Sequence, residues 1–232
     1  MGYRDRSLFS SKSIRSAFVS KVYSILCVQI LIATAIIGWF IYHEPTKQYM
    51  LKNGHYFVYG AFAVGILTYL ILICVESARR SYPMNFVLLF LLTIAYGVMA
   101  AVMSTRYQTN TVFCAFLATA FATFTVILLA KFSPFDMTTC GCGLCILGII
   151  HLIASIILII VLVPQHAQLS STIIAGSGAF LVSLYMMFDL QLIMGGRTME
   201  LSPEEYILGA VLLYIDIISL LQYMLILFGR RE

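Results

Sequence analysis

The sequence predicts an all-α integral membrane protein built from seven helices. Hydrophobic residues make up 61% of the 232 positions and charged residues only 10%, whereas soluble domains are about half apolar and a quarter charged. Seven apolar runs each approach the roughly 20 residues that a helix needs to cross a bilayer. The formal net charge of +4 comes from basic residues at the amino terminus and beside these runs. These basic residues therefore predict contact with the lipid bilayer and no binding of nucleic acid.

Charged or proline-containing segments separate the seven runs. In chain order they read YHEPTKQYMLKNGH, ESARRSYP, TRYQTN, KFSPFDMTT, VPQHAQLS and GGRTMELSPEE. The runs cover residues 22–42, 56–75, 84–104, 111–130, 143–163, 171–194 and 204–228. Such short connections place consecutive helices antiparallel and leave no room for a separate soluble domain. We expect a cytosolic basic tail, residues 1–21, followed by one transmembrane domain, residues 22–232.

The distribution of lysine and arginine predicts that the amino terminus faces the cytosol. In that orientation nine basic residues fall on the cytosolic side and five on the opposite side, as the positive-inside rule requires. Seven complete crossings then place the carboxyl terminus outside, although Arg230 and Arg231 favour the cytosol. A last segment that re-enters the membrane instead of crossing it would remove this conflict, and the sequence leaves both alternatives open.

The stretch LSPEEY predicts the start of the last helix. Ser202 is a favourable N-cap residue, Pro203 suits the first helical position, and Glu205 completes a capping box with Ser202. Glu204 and Glu205 also lie at the positive end of the helix dipole. On local physics alone, these roles are sufficient to account for both glutamates.

Three cysteines lie close together in CGCGLC, namely Cys140, Cys142 and Cys145. Thiolates at these spacings suit a soft metal, but no fourth ligand lies nearby in the sequence. Palmitoylation beside a membrane helix is an alternative. We expect small buried side chains and no functional metal site.

Two aspartates, Asp189 and Asp216, fall inside the last two apolar runs. An aspartate at the bilayer centre costs about 2.5–3.5 kcal/mol on insertion scales and usually faces the interior of a helix bundle. Measured from the predicted start of its helix, Asp216 lies about 20 Å along it. Asp189 reaches the same depth only if its own helix continues past Gly195 and Gly196 towards Met199, and we predict that continuation.

Two carboxylates that meet in a low-dielectric interior cannot both ionise cheaply, so the pair is expected to share a proton and to sense pH. Three interpretations compete. The two aspartates could form interhelical hydrogen bonds with Ser219 or Tyr185. They could be the catalytic pair of an intramembrane aspartyl protease. They could also be the proton-sensitive latch that closes a cation pathway. The protease is disfavoured because Leu213, Tyr214 and Ile215 stand where presenilin-type enzymes carry G-x-G.

A serine protease is disfavoured as well. Ser177 follows His151 in the chain, which is opposite to the order in rhomboid-type enzymes. Small and polar residues are common where membrane helices pack, and we interpret His151 as a polar packing residue. We therefore predict that the protein is not an enzyme.

Four stretches resemble the transmembrane Bax-inhibitor-motif family, in particular its lifeguard and Golgi anti-apoptotic branch. They are IRSAFVSKVYSILCVQILIA at 14–33, YPMN at 82–85, FDLQLIMGG at 188–196 and LSPEEYILGAVLLYIDII at 201–218. The resemblance implies a seven-helix bundle in which two layers of three helices wrap a central last helix. It also implies residence in endoplasmic reticulum or Golgi membranes and a calcium leak that lowers luminal calcium and inhibits apoptosis. Calcium is then the permeating ion, and no cofactor is expected.

The resemblance also implies roles for individual residues. Asp189 and Asp216 match a pH-sensing pair of aspartates, which would offer a weak calcium site. Glu204 matches a glutamate associated with channel activity. In the family an arginine from the second helix bridges the two aspartates, and here Arg79 or Arg80 is the nearest candidate.

This chain departs from the family pattern beside the first aspartate. Phe188 stands where tyrosine is usual and Leu190 where threonine is usual, which changes how the pair is solvated. The implied partners are calcium ions, protons, the inositol trisphosphate receptor and anti-apoptotic membrane proteins. A non-conducting membrane scaffold that regulates apoptosis through protein partners is the alternative function.

Overall fold

The computed structural model describes residues 2–229, with side chains for residues 12–160 and 168–229. The described chain is helical apart from short connections and contains no strand. Its elements are α1 (Gly2–Tyr42), α2 (Glu44–Cys74), α3 (Glu76–Arg80), α4 (Met84–Ser104), α5 (Thr109–Phe132), a 3₁₀ turn (Met137–Cys140), α6 (Gly141–Met194) and α7 (Tyr206–Phe228). Seven segments of the described residues are long and apolar enough to cross a membrane. The all-α membrane fold predicted from the sequence is confirmed.

Helix α1 begins well before the predicted boundary at residue 22, because its buried stripe extends into the basic tail. Phe18, Val22 and Leu26 follow one another at i,i+4 spacing, and all three are buried. That spacing places them on one face of the helix, and α1 packs against α4 and α7. The segment predicted as a separate tail is thus continuous with the first helix.

Helix α6 supplies two of the seven membrane-spanning segments. Its backbone is helical from Gly141 to Met194, yet the Tyr185 hydroxyl donates to the Leu144 carbonyl at 2.8 Å. A straight helix would hold these residues about 60 Å apart. The two spanning segments, Met137–Ile160 (which includes the 3₁₀ turn) and Gln168–Met194, therefore lie side by side as an antiparallel hairpin.

Helix α7 occupies the centre of the bundle, as predicted. It contacts α1, α4, α5 and α6, and eleven of its 23 residues are buried. Contacts with four other long helices place α7 inside the bundle and not at its lipid-facing surface. This position explains why α7 carries the largest fully buried side chain of the described residues, Tyr214.

Helix α7 also runs the full length of the bundle. It begins where α6 ends, and at its other end a side chain on Gly229 would collide with the ring of Tyr107, just after α4. Its 23 residues span about 34 Å, enough for the roughly 30 Å of a hydrocarbon core. The length and composition of α7 therefore fit a crossing helix and not a re-entrant one. Arg230 and Arg231, whose charge raised that alternative, lie outside the described residues.

A polar bridge fastens three helices together inside the bundle. The Gln29 amide of α1 donates to the Thr93 hydroxyl of α4 at 3.0 Å, and the Tyr214 hydroxyl of α7 donates to the Thr93 carbonyl at 2.8 Å. Interhelical hydrogen bonds of this kind hold membrane helices in register where apolar packing alone does not distinguish one register from another. The bridge lies on the central helix, between its two ends.

Candidate functional site

Helix α6 ends at Met194, where the chain turns at two glycines. Gly195 and Gly196 have φ angles of 71° and 77°, in the left-handed region that glycine adopts far more readily than other residues. A side chain at Gly195 would also collide with Arg15 and Glu200. The predicted continuation of this helix past the glycines is therefore wrong.

The segment between α6 and α7 folds back against the end of α6. The Leu201 amide donates to the Leu192 carbonyl at 3.0 Å. The Arg15 guanidinium of α1 donates to the Leu201 carbonyl at 2.8 Å and pairs with the Glu200 carboxylate at 2.8 Å. These contacts return the chain to the level of the last turn of α6 before α7 begins.

Because the chain returns in this way, the two aspartates lie within about one helical turn of the same depth although α6 ends at Met194. Gly209 of α7 packs so closely on α6 that a Cβ added there would lie 3.3 Å from Ile193. Counted from that contact at 1.5 Å per residue, Asp216 lies about 10 Å and Asp189 about 6 Å into the bundle. Their carboxyl groups lie within hydrogen-bonding reach of one another.

We call Asp189 and Asp216 the aspartate pair. Each is 7% exposed, and the Oδ2 atom of Asp216 is buried with no hydrogen-bond partner among the described residues. A hydrogen bond between two carboxyl groups needs a proton on at least one of them, because an ionised carboxylate only accepts. The phenol of Tyr69, from α2, lies within electrostatic range of both carboxyl groups. The arrangement can therefore hold a shared proton or a cation, and it retains an unused oxygen.

The two predicted arginine partners lie elsewhere. Arg79 and Arg80, at the end of α3, both bind the carboxylate of Glu205: Arg79 through Nε and Nη2, and Arg80 through Nε at 2.9 Å and Nη2 at 2.6 Å. The prediction that one of them bridges the aspartates is not what the structure shows. Asp216 lies eleven residues beyond Glu205, about 16 Å deeper along the helix, which is out of reach from this end of the bundle.

We call Glu205 with Arg79 and Arg80 the Glu205 clamp. The Glu205 side chain is 6% exposed. Burial favours its neutral form, but the hydrogen bonds and charges of the two arginines outweigh burial and hold the pKa of Glu205 below its ordinary value. The clamp ties the connection after α2 to the start of α7 with a compensated buried charge.

The clamp also explains why the predicted capping box is wrong. Helix α7 begins at Tyr206, and Glu205, at the N-cap position, makes no side-chain capping bond. Its carboxylate faces the arginines and not the backbone of Ser202, whose carbonyl accepts the Glu205 amide in a turn at 2.9 Å. Glu204 is exposed, and its carboxylate forms an ion pair with Arg80 at 3.3 Å.

A second buried polar residue near the aspartate pair, Gln191, was not identified from the sequence. Its amide oxygen accepts from the Met137 backbone at 2.8 Å, and its nitrogen donates to the carbonyls of Phe135 at 3.0 Å and Ala130 at 3.4 Å. It thereby fixes the connection between α5 and α6. The signal in the sequence was an amide two residues after Asp189 in an otherwise apolar run.

The same connection is fastened to the segment that precedes α7. Hydrogen bonds from Thr138 and Thr198 hold the pKa of Asp136 well below its ordinary value. Arg197 donates to the Ser133 carbonyl at 2.6 Å. Together with the Glu205 clamp, these polar contacts join the connections that follow α2, α5 and α6 at this end of the bundle.

The predicted thiol cluster shows no ligand set around it. Cys142 and Cys145 are exposed and Cys140 is half-buried, so the expectation of burial is wrong for two of the three. Within the described residues no group of three or more histidine, cysteine, aspartate or glutamate side chains could hold a metal ion. The aspartate pair alone also offers fewer oxygens than the six to eight of a tight calcium site.

His151 lies between the two halves of α6. Its Nδ1 is 3.4 Å from the Ser177 hydroxyl and its Nε2 is 3.5 Å from the Ser155 hydroxyl. Ser177 itself donates to the carbonyl of Ile173 at 2.7 Å. The hydroxyl is thus engaged by the backbone of its own helix, which fits the predicted packing role of His151.

The chain is similar to known proteins over most of its length. Residues 15–232 match the family described as "Inhibitor of apoptosis-promoting Bax1". Protein lifeguard 3 of Homo sapiens is 38% identical and that of Mus musculus 34%, each over 224 residues that cover 97% of this chain and 72% of the relative. Protein lifeguard 4 of Mus musculus is 29% identical over 223 residues, covering 93% of this chain and 86% of the relative. The chain therefore belongs to the Bax-inhibitor-motif family of integral membrane proteins, with lifeguard proteins among its relatives.

Proposed function

We propose that this protein is a pH-sensitive calcium leak channel of intracellular membranes, in the endoplasmic reticulum or Golgi, with its amino terminus in the cytosol. By lowering luminal calcium it inhibits apoptosis, the activity named in the description of its family. The observation that carries the proposal is the aspartate pair: two carboxyl groups from α6 and α7 meet in the bundle interior, and no arginine of the described part of the chain pairs with them.

The chemistry of the pair supplies the pH sensitivity. A shared proton joins Asp189 to Asp216 and holds α6 against the central helix. When that proton leaves, the two charges repel, and only a cation can offset the repulsion. The unused Oδ2 of Asp216 is the atom available to a passing calcium ion. Two carboxylates bind calcium weakly, which suits conduction, because an ion must leave as readily as it enters.

The test is calcium flux through purified protein in liposomes, measured over a series of pH values. The wild-type protein is expected to conduct calcium with a rate that depends on pH. Asp189→Asn and Asp216→Asn are each expected to flatten that dependence, whatever they do to the rate itself. Glu44→Gln is the matched control, since Glu44 is an exposed carboxylate at the opposite end of the bundle, and it should behave as wild type.

Two results would overturn the proposal. A folded wild-type protein that passes no calcium, yet still inhibits apoptosis in cells, would establish the scaffold alternative. Wild-type flux and pH response in both aspartate variants would show that the pair only holds the two helices together.

A further inference from the structure

A cavity of about 780 Å³ opens at the end of the bundle opposite the Glu205 clamp. It lies between α2, α4 and α7 and includes the connection that follows α4. The deeper wall is apolar and is formed by Val58, Met99 and Val102, while Lys47 and Arg106 contribute the charged groups. Cavities of several hundred cubic ångströms are large enough to enclose a small organic ligand.

The charges of this cavity, which we call the basic cavity, have no acidic partner among the residues that the structure describes. None of the described residues that line it is acidic. Within the described residues neither Lys47 nor Arg106 forms an ion pair or a side-chain hydrogen bond. Two cationic groups at the rim of an apolar cavity attract an anion, and each is free to make a charge-assisted hydrogen bond to it.

Membrane orientation does not account for these two cations. Lys47 and Arg106 lie at the end of the bundle opposite the α6–α7 connection, where basic residues are the minority along the chain. The bias that orients membrane proteins favours lysine and arginine at the other end. Gln222 adds a half-buried amide to the lining from the central helix, so polar groups from three separate elements converge there.

We propose that the basic cavity binds a phospholipid with an anionic headgroup from the surrounding bilayer. Lys47 and Arg106 bind the phosphate, and an acyl chain lies along the wall of Val58, Met99 and Val102. The occupant is a bilayer lipid because the cavity lies at the end of membrane-spanning helices, where headgroups and chains meet. Basic pockets between membrane helices bind anionic headgroups by the same chemistry.

The test is native mass spectrometry of the purified full chain released from nanodiscs made of equal parts phosphatidylcholine and phosphatidylglycerol. The wild-type protein is expected to retain phosphatidylglycerol in preference to phosphatidylcholine. Lys47→Gln and Arg106→Gln should each weaken that preference about fivefold, and the double variant should abolish it. Lys52→Gln is the control, because Lys52 is an exposed lysine of the same helix that does not line the cavity.

A competition experiment distinguishes a bound lipid from a bound free anion. Inorganic phosphate at millimolar concentration should not displace the retained phosphatidylglycerol, because phosphate lacks the chain that fills the apolar wall. Complete displacement would overturn the assignment to a lipid. Equal retention of the two lipids by the wild-type protein, or an unchanged preference in the double variant, would overturn the site itself. These outcomes are independent of calcium flux.

Discussion

The Glu205 clamp and the aspartate pair are two buried acidic sites on the same helix, and their surroundings are opposite. Glu205 lies at the start of α7 and is bound by two guanidinium groups. Asp216 lies deeper and faces a second carboxyl group, with one oxygen unpartnered. A buried charge is tolerated only when it is paired. The clamp therefore has its compensation built in, whereas no basic side chain of the described residues pairs with the aspartates.

The first prediction applies the same chemical change to both sites. Glu205→Gln should lower the free energy of unfolding by about 1–3 kcal/mol, because it leaves two arginines without their carboxylate. Asp216→Asn should leave stability unchanged or raise it, because an amide can donate to Asp189 and removes the possibility of repulsion. Thermal unfolding in detergent checks both. Glu76→Gln, which removes an exposed partner of Arg80, is the control and should have little effect.

Equal destabilisation by Glu205→Gln and Asp216→Asn would contradict the difference between the two sites. It would mean that the aspartate pair is compensated in the folded protein just as the clamp is. In that case the pair would be a structural bond and not a switch.

The second prediction concerns acid. The pKa of Glu205 is lower in the folded protein than its ordinary value of 4.5. Its contribution to stability is therefore complete above about pH 4.5 and is lost as the pH falls through the lower, folded-state pKa. The midpoint of thermal unfolding should drop in this acidic range, and Glu205→Gln should make the drop shallower. Part of the drop should remain in this variant, because the pKa of Asp136 is also depressed. An identical acid profile in the variant would contradict the role of the clamp.

The third prediction concerns Glu204, the exposed neighbour of the clamp. If it attracts cations to the mouth of the path, Glu204→Gln should reduce calcium flux by about tenfold, the low end of such effects, and leave its pH dependence intact. Glu76→Gln removes another exposed carboxylate that pairs with Arg80 and should leave the flux unchanged. A flattened pH response in Glu204→Gln would move the pH sensor from the aspartate pair to the mouth.

The smallest effect is expected from the thiol cluster, which belongs to neither site. Replacing Cys140, Cys142 and Cys145 together by serine should change the free energy of unfolding by no more than about 0.5 kcal/mol per site and leave flux intact. Metal analysis of the purified protein provides a second readout. Loss of a stoichiometric metal together with loss of the fold would show that the cluster has a structural role.

The sequence was sufficient to predict the fold because membrane-spanning helices are marked by length and apolarity, and both properties are local. It also identified the two aspartates, since an acid in an apolar run stands out. It did not predict how they meet. The matching depth comes from the contact of Leu201 with Leu192 and from the binding of the connecting segment by Arg15, which are contacts between residues distant in the chain.

The clamp was missed for a related reason. The motif S-P-E-E fits a capping box, and the local pattern carries no sign that two arginines more than a hundred residues away compete for the second glutamate. The competition is decided by tertiary contacts, because a carboxylate bound by two guanidinium groups gains more than one that caps a helix. Arg79 and Arg80 were recognised as candidates, but their partner depends on the depth to which each helix end reaches.

The most direct test of the account is infrared difference spectroscopy of the aspartate pair during a pH titration. A protonated carboxyl band is expected to disappear over the pH range in which calcium flux changes. Both Asp189→Asn and Asp216→Asn should remove or shift that band, because one proton serves two groups, whereas Glu44→Gln should leave it in place. A band that persists at its wild-type position in either aspartate variant, or that titrates outside the range of the flux change, would contradict the shared proton on which the proposed channel depends.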